Sequence, residues 1–368
     1  MNIIMISKID ISKPTGETEH FLGLARGFKK IGHNVIIIAQ QLEPNNYLEF
    51  KYFTIKPATR SKIINLLLYQ IHLLISLPNI IKLIKPDFIY IRTSPFFIIA
   101  HIIAKLLHKR IISEVNGLNK NEFSLIHSEN KLVLFYLILI EKLSYNISNK
   151  IIAISNPLKI YIMNNFHIKD NKIISITNGC DSDSIEKNII RKEIKTIGFI
   201  GSILPWHGLN ILIQAYKIVF KKHKTLNLLI LGTNKIGNNK YNIKAIKTLN
   251  RSETNKYMAL FDIAVIPSIE TINNIKVIVS SPIKFFNYLN RCIPILCSDI
   301  EELNSIIKNN NIGLIFNQGN VIECAEKLNK MLKLSYKERI NISKRMSILA
   351  KQYDWKIIAS KIIDFVYN

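Results

Sequence analysis

Residues 196–216, TIGFIGSILPWHGLNILIQAY, limit what this chain can fold into more than any other stretch. An apolar run at 197–200 ends at Gly201, and from about Leu209 apolar residues recur at three-to-four spacing. An unbroken apolar run suits a strand buried on both faces, and the spacing after it is that of an amphipathic helix. Together they make the strand–turn–helix unit of a parallel sheet. Gly201 is where such a unit can meet a ligand. Without a side chain it lets a ligand reach the backbone, and the helix beyond offers unpaired N–H groups and a positive dipole end to an anion. A βα turn that binds nothing satisfies the same pattern.

The alternation repeats along the chain. Strands at 3–7, 35–39, 87–91, 110–114 and 151–154 alternate with helices at 18–31, within 63–84, at about 95–107, at 131–143 and from Ser155. A second series has strands at 172–176, 197–200, 226–231, 263–266, 293–297 and 313–316, with a lysine- and asparagine-rich loop after Gly232. A chain of 368 residues exceeds what one core usually organises, so the two series are read as two Rossmann-like α/β domains. The first spans 1–170 and the second 171–350, with the polar stretch 182–195 as the connection. The last segment, 351–368, is a helix whose apolar face is expected to pack back on the first domain.

Ligands of open parallel sheets sit outside the carboxyl ends of the strands, which selects candidate residues. In the first domain these are Gly16 at the strand-to-helix crossing, His20 in the first helical turn, and Glu114 with Asn116 in EVNG. A structural histidine and a plain turn are the alternatives there. In the second domain the candidate is Gly201. No GxGxxG fingerprint occurs, which argues against a dinucleotide site.

The formal charge of +24 comes from lysines spread over the whole chain, a field that attracts any polyanion, anionic lipid included. No aromatic-interleaved basic groove, recognition-helix pattern or zinc finger accompanies it, so specific nucleic-acid binding is not expected. Residues 63–84 form the most apolar long stretch, interrupted by Gln70, His72, Pro78, Asn79 and Lys82. A core helix is the default reading, a segment lying along a membrane is the alternative, and a spanning helix is a third. Lys51, Lys56, Arg60 and Lys62 precede it, and lysines flank the apolar helix at 131–143 as well. The four cysteines show no CxxC spacing, and the N-terminus MNIIMISKIDI reads as a first strand rather than a signal peptide. Reduced cysteines and a cytoplasmic setting follow.

Four sets of motifs match one family in compatible order: residues 14–38; 151–162 with 174–181; 198–216; and 261–268 with 280–300. The chain resembles the retaining nucleotide-sugar glycosyltransferases of the large family typified by sucrose synthase and bacterial polysaccharide and mannosyl transferases, which have the GT-B fold. The resemblance implies two Rossmann-like domains with parallel sheets facing a central cleft. It implies a nucleotide-sugar donor, by the family's breadth a UDP-sugar, bound mainly by the second domain with its diphosphate at the Gly201 loop. The acceptor, lipid-linked or a cell-surface polysaccharide, is implied at the first domain, with Gly16, Glu17 and His20 as acceptor-binding residues. A place on the inner face of the cell membrane is expected, and neither a metal nor another cofactor is.

The chain departs from the family at informative positions. An arginine and a lysine that relatives often carry in the donor loop are here Ser202 and His207, so two fixed positive charges are missing. Lys284, in SPIKFFNY, is the expected compensating charge. The family's paired glutamates fall at Val279 and Asn287, with Glu270 as a carboxylate in the neighbourhood but outside the register. A histidine of many relatives corresponds to Asn116, and a glycine of the acceptor loop to Glu17. Glu114, Asn116 and Lys284 are therefore the expected catalytic residues, and Gly201, Ser202, His207, Gly232, Glu270 and Asn287 the donor-binding ones. A non-catalytic relative acting as a binding or assembly subunit is the alternative that Val279 and Asn287 keep open.

Overall fold

Two parallel sheets organise the chain, one in each of two units: Met1–Thr177 with Trp355–Asn368, and Asn178–Asp354. The computed structural model describes residues 1–13, 15–40, 50–55, 62–94, 97–118, 120, 123–124, 131–184, 188–247, 250–272, 275–276 and 282–368.

The first unit contains β1 (Asn2–Asp10), α1 (Gly16–Lys30), β2 (Asn34–Gln40), β3 (Lys51–Ile55), α2 (Lys62–Ile84), β4 (Phe88–Arg92) and α3 (Ile99–Leu106). It continues with β5 (Ile111–Val115), α4 (Lys131–Ile147), β6 (Lys150–Ala153), α5 (Asn156–Phe166) and β7 (Ile173–Ser175). Its sheet runs β3-β2-β1-β4-β5-β6-β7 with every ladder parallel. The chain leaves β1 in one direction and proceeds from β4 in the other, so β1 and β4 flank a topological switch point, where such sheets open a crevice. β4 and β5 are buried at every position, so their polar members Arg92, Ser113 and Glu114 must find partners inside the unit. The start of α1 is set locally. Thr15 caps it by accepting from the Thr18 N–H, acids occupy its first turn and Lys29 and Lys30 its last, matching the helix dipole.

The second unit contains β8 (Thr196–Ile200), α6 (Leu209–Phe220), β9 (Asn227–Leu231), β10 (Ile243–Ile246), α7 (Arg251–Met258), β11 (Ile263–Ile266) and the short antiparallel pair β12 (Thr271–Ile272) and β13 (Ile275–Lys276). After these come α8 (Ile283–Asn290), β14 (Ile295–Ser298), α9 (Glu301–Asn309), β15 (Gly313–Phe316), α10 (Val321–Leu332) and α11 (Tyr336–Gln352). The sheet order β10-β9-β8-β11-β14-β15 puts the switch point between β8 and β11. One apolar cluster gathers Phe285, Phe286, Leu289 and Met346, and another gathers Phe199, Leu212, Tyr216 and Leu328. The four cysteines are free and buried.

The last helix, α12 (Trp355–Tyr367), packs against α1 of the first unit. Gly23 and Gly27 make that approach possible: a Cβ on Gly27 would lie 2.3 Å from the Trp355 carbonyl oxygen, and one on Gly23 2.4 Å from the Trp355 ring.

Two expectations need correction. Residues 171–177, read as the opening of the second domain, stay with the first unit, because β7 takes its ladder from β6. Within the stretch read as a loop after Gly232 lies β10, an edge strand whose ladder is with β9, and whose residues are partly exposed and so lack a buried strand's apolar run. In the first unit the edge strand β3 likewise carries no signal strong enough to be singled out.

Candidate functional site

In the second unit the candidate donor residues converge on the turn after β8. Gly201 has φ +152°, and its N–H donates to the Leu231 carbonyl at 2.9 Å. A Cβ placed on it would lie 3.3 Å from Lys284 Nζ and 3.4 Å from His207 Nδ1, so the three groups share one small space. Gly232, at the end of β9, closes the other side, since a Cβ there would meet the Gly201 carbonyl oxygen at 2.6 Å. Ser202 is exposed beside them.

Lys284 reaches this turn from the first helical turn of α8, and the helix is fixed by its neighbour: the Ile200 N–H donates to Tyr288 Oη at 2.9 Å. Nζ of Lys284 is buried, sits 4.8 Å from the centre of the Phe199 ring, and among the described residues has no hydrogen-bond partner. Burial holds its pKa down to about 8, against a smaller opposing influence from Cys297. A buried ammonium without a counter-ion is costly to keep, and an anion at the turn removes the cost.

His207 does not supply a second charge. Its Nδ1 lies 2.7 Å from the Ser202 carbonyl oxygen, which assigns the proton to Nδ1 and leaves Nε2 an acceptor. Burial, and then the nearby Lys284 charge, push its pKa down to about 3. The imidazole is therefore neutral at physiological pH and braces the turn through the Ser202 carbonyl. Lys284 is the fixed positive charge among these residues.

Asn287 is one turn beyond Lys284 on α8 and half-buried. Glu270 is held elsewhere: its N–H donates to Gln318 Oε1 at 2.8 Å, and Gln318 Nε2 donates back to Glu270 Oε2 at 3.0 Å. It lines a depression with Asp299, Glu301, Asn304 and Ser305, a set that repels phosphate and suits hydroxyl groups. Val279 lies outside the described residues.

The first unit brings its own candidates together at the carboxyl ends of β4 and β5 and the start of α1. Glu114 is 1% exposed and its carboxylate is fully engaged. Oε1 is 2.8 Å from His20 Nε2 and accepts from Asn116 Nδ2 at 2.5 Å, while Oε2 accepts a short hydrogen bond from Tyr90 Oη. Arg92 Nε lies 3.7 Å from Oε1, and Arg92 Nη1 is 3.8 Å from Glu17 Oε1. Burial raises the Glu114 carboxyl, but His20, Arg92 and Tyr90 together outweigh it and hold the pKa at about 2. His20 also meets the Trp355 ring edge-on at 5.5 Å. Gly16 opens α1 and, with Glu17, stays exposed.

Glu114 is thus a permanently ionised hub that fixes the groups around it, and neither oxygen is open to take a proton from a substrate. Sequence reasoning passed over Arg92 and Tyr90, which complete this cluster, and Phe199, which lies beneath Lys284. An arginine closing an otherwise apolar strand, FIYIR, is the one signal that marks Arg92.

Known proteins resemble this chain in sequence and in fold. A family model described as Glycosyltransferase Family 4 matches residues 14–184, and one described as Glycosyl transferases group 1 matches residues 181–353. The capsular polysaccharide biosynthesis glycosyltransferase CapM of Staphylococcus aureus is 25% identical over 231 residues, which make up 54% of this chain. The match spans 56% of that relative's length. Among solved structures, sucrose-phosphate synthase from Thermosynechococcus elongatus superposes with a TM-score of 0.74 at 13% identity, covering 100% of this chain and 98% of the other. The Anabaena protein HepE in complex with UDP and glucose gives 0.73 at 14% identity, with 100% of both chains covered. At these identities the two structures bear on the fold.

Proposed function

The chain belongs to the GT-B glycosyltransferases of the family-4-like group, and on that premise we propose that it is a retaining enzyme transferring a sugar from a UDP-sugar to a lipid-linked or cell-surface polysaccharide acceptor. The observation that carries this reading is Lys284: a buried ammonium, without a hydrogen-bond partner among the described residues, beside a glycine turn at the switch point of the second sheet. A diphosphate is the anion that fits, because it brings charge to Nζ while its oxygens accept from turn N–H groups. UDP is preferred because HepE binds it, and the acceptor class follows CapM.

On this reading Lys284 stabilises the leaving diphosphate electrostatically, so no metal or other cofactor is required. The acceptor hydroxyl attacks the face from which the leaving group departs, and the departing phosphate takes the proton. Glu114 positions rather than reacts. It holds His20, Asn116 and Arg92 in fixed orientation, and Glu17 and Gly16 offer the exposed edge for an acceptor. Asn287 hydrogen-bonds the ribose, and Ser202 donates to a phosphate oxygen. The protein works on the cytoplasmic side of the cell membrane as a peripheral enzyme.

Thermal stabilisation by UDP and UDP-sugars, measured in EDTA, tests the donor site. Binding at a hundred times Kd stabilises by roughly 2.7 kcal/mol, which Lys284→Met is expected to abolish. Undiminished stabilisation of Lys284→Met removes the phosphate assignment. Tight UDP-sugar binding with no transfer or hydrolysis favours a non-catalytic subunit instead, a reading supported by Asn287 where relatives carry a glutamate.

A further inference from the structure

Helices α2 and α4 each carry two apolar stripes where a core helix of a soluble unit needs one. On α2, Tyr69, Leu73 and Leu77 are buried in the sheet core, while Leu67, Ile71, Leu74 and Ile75 face solvent, Ile75 at 69% exposure. On α4, Leu137 and Ile140 are buried, while Leu132, Phe135, Tyr136 and Leu139 are exposed, Leu132 at 79%. Between them α3 packs on both and adds Ile102 and Leu106. The window Leu67–Ile84 has a mean hydropathy of 1.5 yet is only 28% buried, far less than a core helix of that composition requires. The second unit exposes its large apolar residues singly, as at Leu260 and Ile348.

The charges on these helices are of one sign. Lys82, Lys105, Lys131 and Lys142 are exposed, and the single acid in the three helices, Glu141, is buried. Lys172 adds to the rim, donating to the Asn146 carbonyl at 3.1 Å near the end of α4; burial and then the neighbouring Lys105 lower its pKa. We propose that the outward face of α2, α3 and α4 docks on an anionic lipid bilayer, with the apolar stripes at the acyl boundary and the lysines among the headgroups. An apolar field whose exposed charges on these three helices are, among the described residues, all cationic fits that surface, and the net charge of +24 draws the whole chain to it.

The topology makes the docking useful. In a parallel sheet the crossover helices start at the carboxyl ends of the strands, so the N-terminal turns of α2 and α4 border the end that carries Gly16, His20 and Glu114. This part of the inference rests on the proposed lipid-linked acceptor: a bilayer against Leu67, Leu132 and Phe135 keeps such a substrate beside the first unit's cluster.

Co-sedimentation of the full chain with vesicles of about three parts phosphatidylcholine to one part phosphatidylglycerol tests the surface, with phosphatidylcholine vesicles as reference. Binding is expected only to the anionic vesicles and is weakened at about 0.5 M salt. Ile71→Glu and Phe135→Glu are each expected to lower the partition coefficient roughly tenfold or more. Lys131→Ala and Lys142→Ala are expected to lower it about fivefold each. Ile348→Glu, an equal charge change on the second unit, is expected to leave it unchanged. Equal losses in all three glutamate variants, or no binding by the wild type, overturn the proposal. So does self-association without vesicles that Ile71→Glu abolishes, which makes the face a contact between copies. Thermal stabilisation by UDP is read on the same samples without lipid. Stabilisation without vesicle binding ends the docking proposal alone, and vesicle binding without stabilisation ends the donor reading alone.

Discussion

The two candidate centres handle buried charge in opposite ways. Around Glu114 both carboxylate oxygens are engaged, by His20, Asn116 and Tyr90 with Arg92 close by, all supplied by the same unit. At the Gly201 turn a buried ammonium has no hydrogen-bond partner among the described residues. The first arrangement is complete in the free protein and stiffens what surrounds it. The second is incomplete and is the kind of place a ligand finishes. A carboxylate with both oxygens engaged positions, and a buried charge without a partner recruits.

Removing the hub is expected to have the largest effect. Glu114→Ala leaves Arg92 buried without its carboxylate and should destabilise the protein by about 3–5 kcal/mol in urea unfolding. A loss below about 1 kcal/mol means that the cluster does not hold the unit together. The pH dependence follows from the same group. Its folded pKa of about 2 lies below the usual 4.5, so its stabilisation is fully present above pH 4.5 and is lost as pH falls through 2. Wild type and Glu114→Ala should therefore converge in stability toward the acid end of that window.

Lys284→Met sharpens the contrast, because it should improve the free protein while disabling it. The ammonium's pKa falls from the usual 10.5 to about 8, so burial opposes folding below pH 8 and the penalty fades as pH rises to 10.5. Methionine should stabilise the ligand-free protein by on the order of 3 kcal/mol at pH 7 and by little near pH 10.5, as denaturation across that range will show. Turnover should drop by about 2.7–4 kcal/mol in activation free energy. A variant less stable at pH 7 contradicts the account of an uncompensated charge.

Gly201→Ala is a smaller perturbation of the same turn. At φ +152° an alanine is strained, and its Cβ presses on Phe199, Lys284 and His207, at an expected cost of about 1–3 kcal/mol in donor affinity by calorimetry. Asn287→Ala should do least. One neutral hydrogen bond contributes about 0.5–1.5 kcal/mol, so donor affinity should fall by about threefold to tenfold with kcat little changed. If Asn287→Ala abolishes binding and Lys284→Met does not, α8 presents a different face to the donor.

The sequence by itself determined the βα alternation and the Gly201 turn, and it singled out His207 and Lys284, which the structure brings together at that turn. Those features depend on apolar period, on glycine and on motif order, all of which are local. It did not determine the sheet edges β3 and β10 or the allegiance of β7, because edge strands lack the apolar run of central ones and a strand's sheet is fixed by the partner it finds. Only the tertiary structure decided the charge states. Glu114 read as an open carboxylate and is a saturated one; His207 read as a conditional cation and is a neutral brace; Lys284 is the charge left over. The apolar helices at 63–84 and 131–143 were legible as apolar, but a core stripe and an outward stripe are the same letters until a sheet covers one of them. Burial and partnership are pairwise properties of residues far apart in the chain, and no local pattern encodes them.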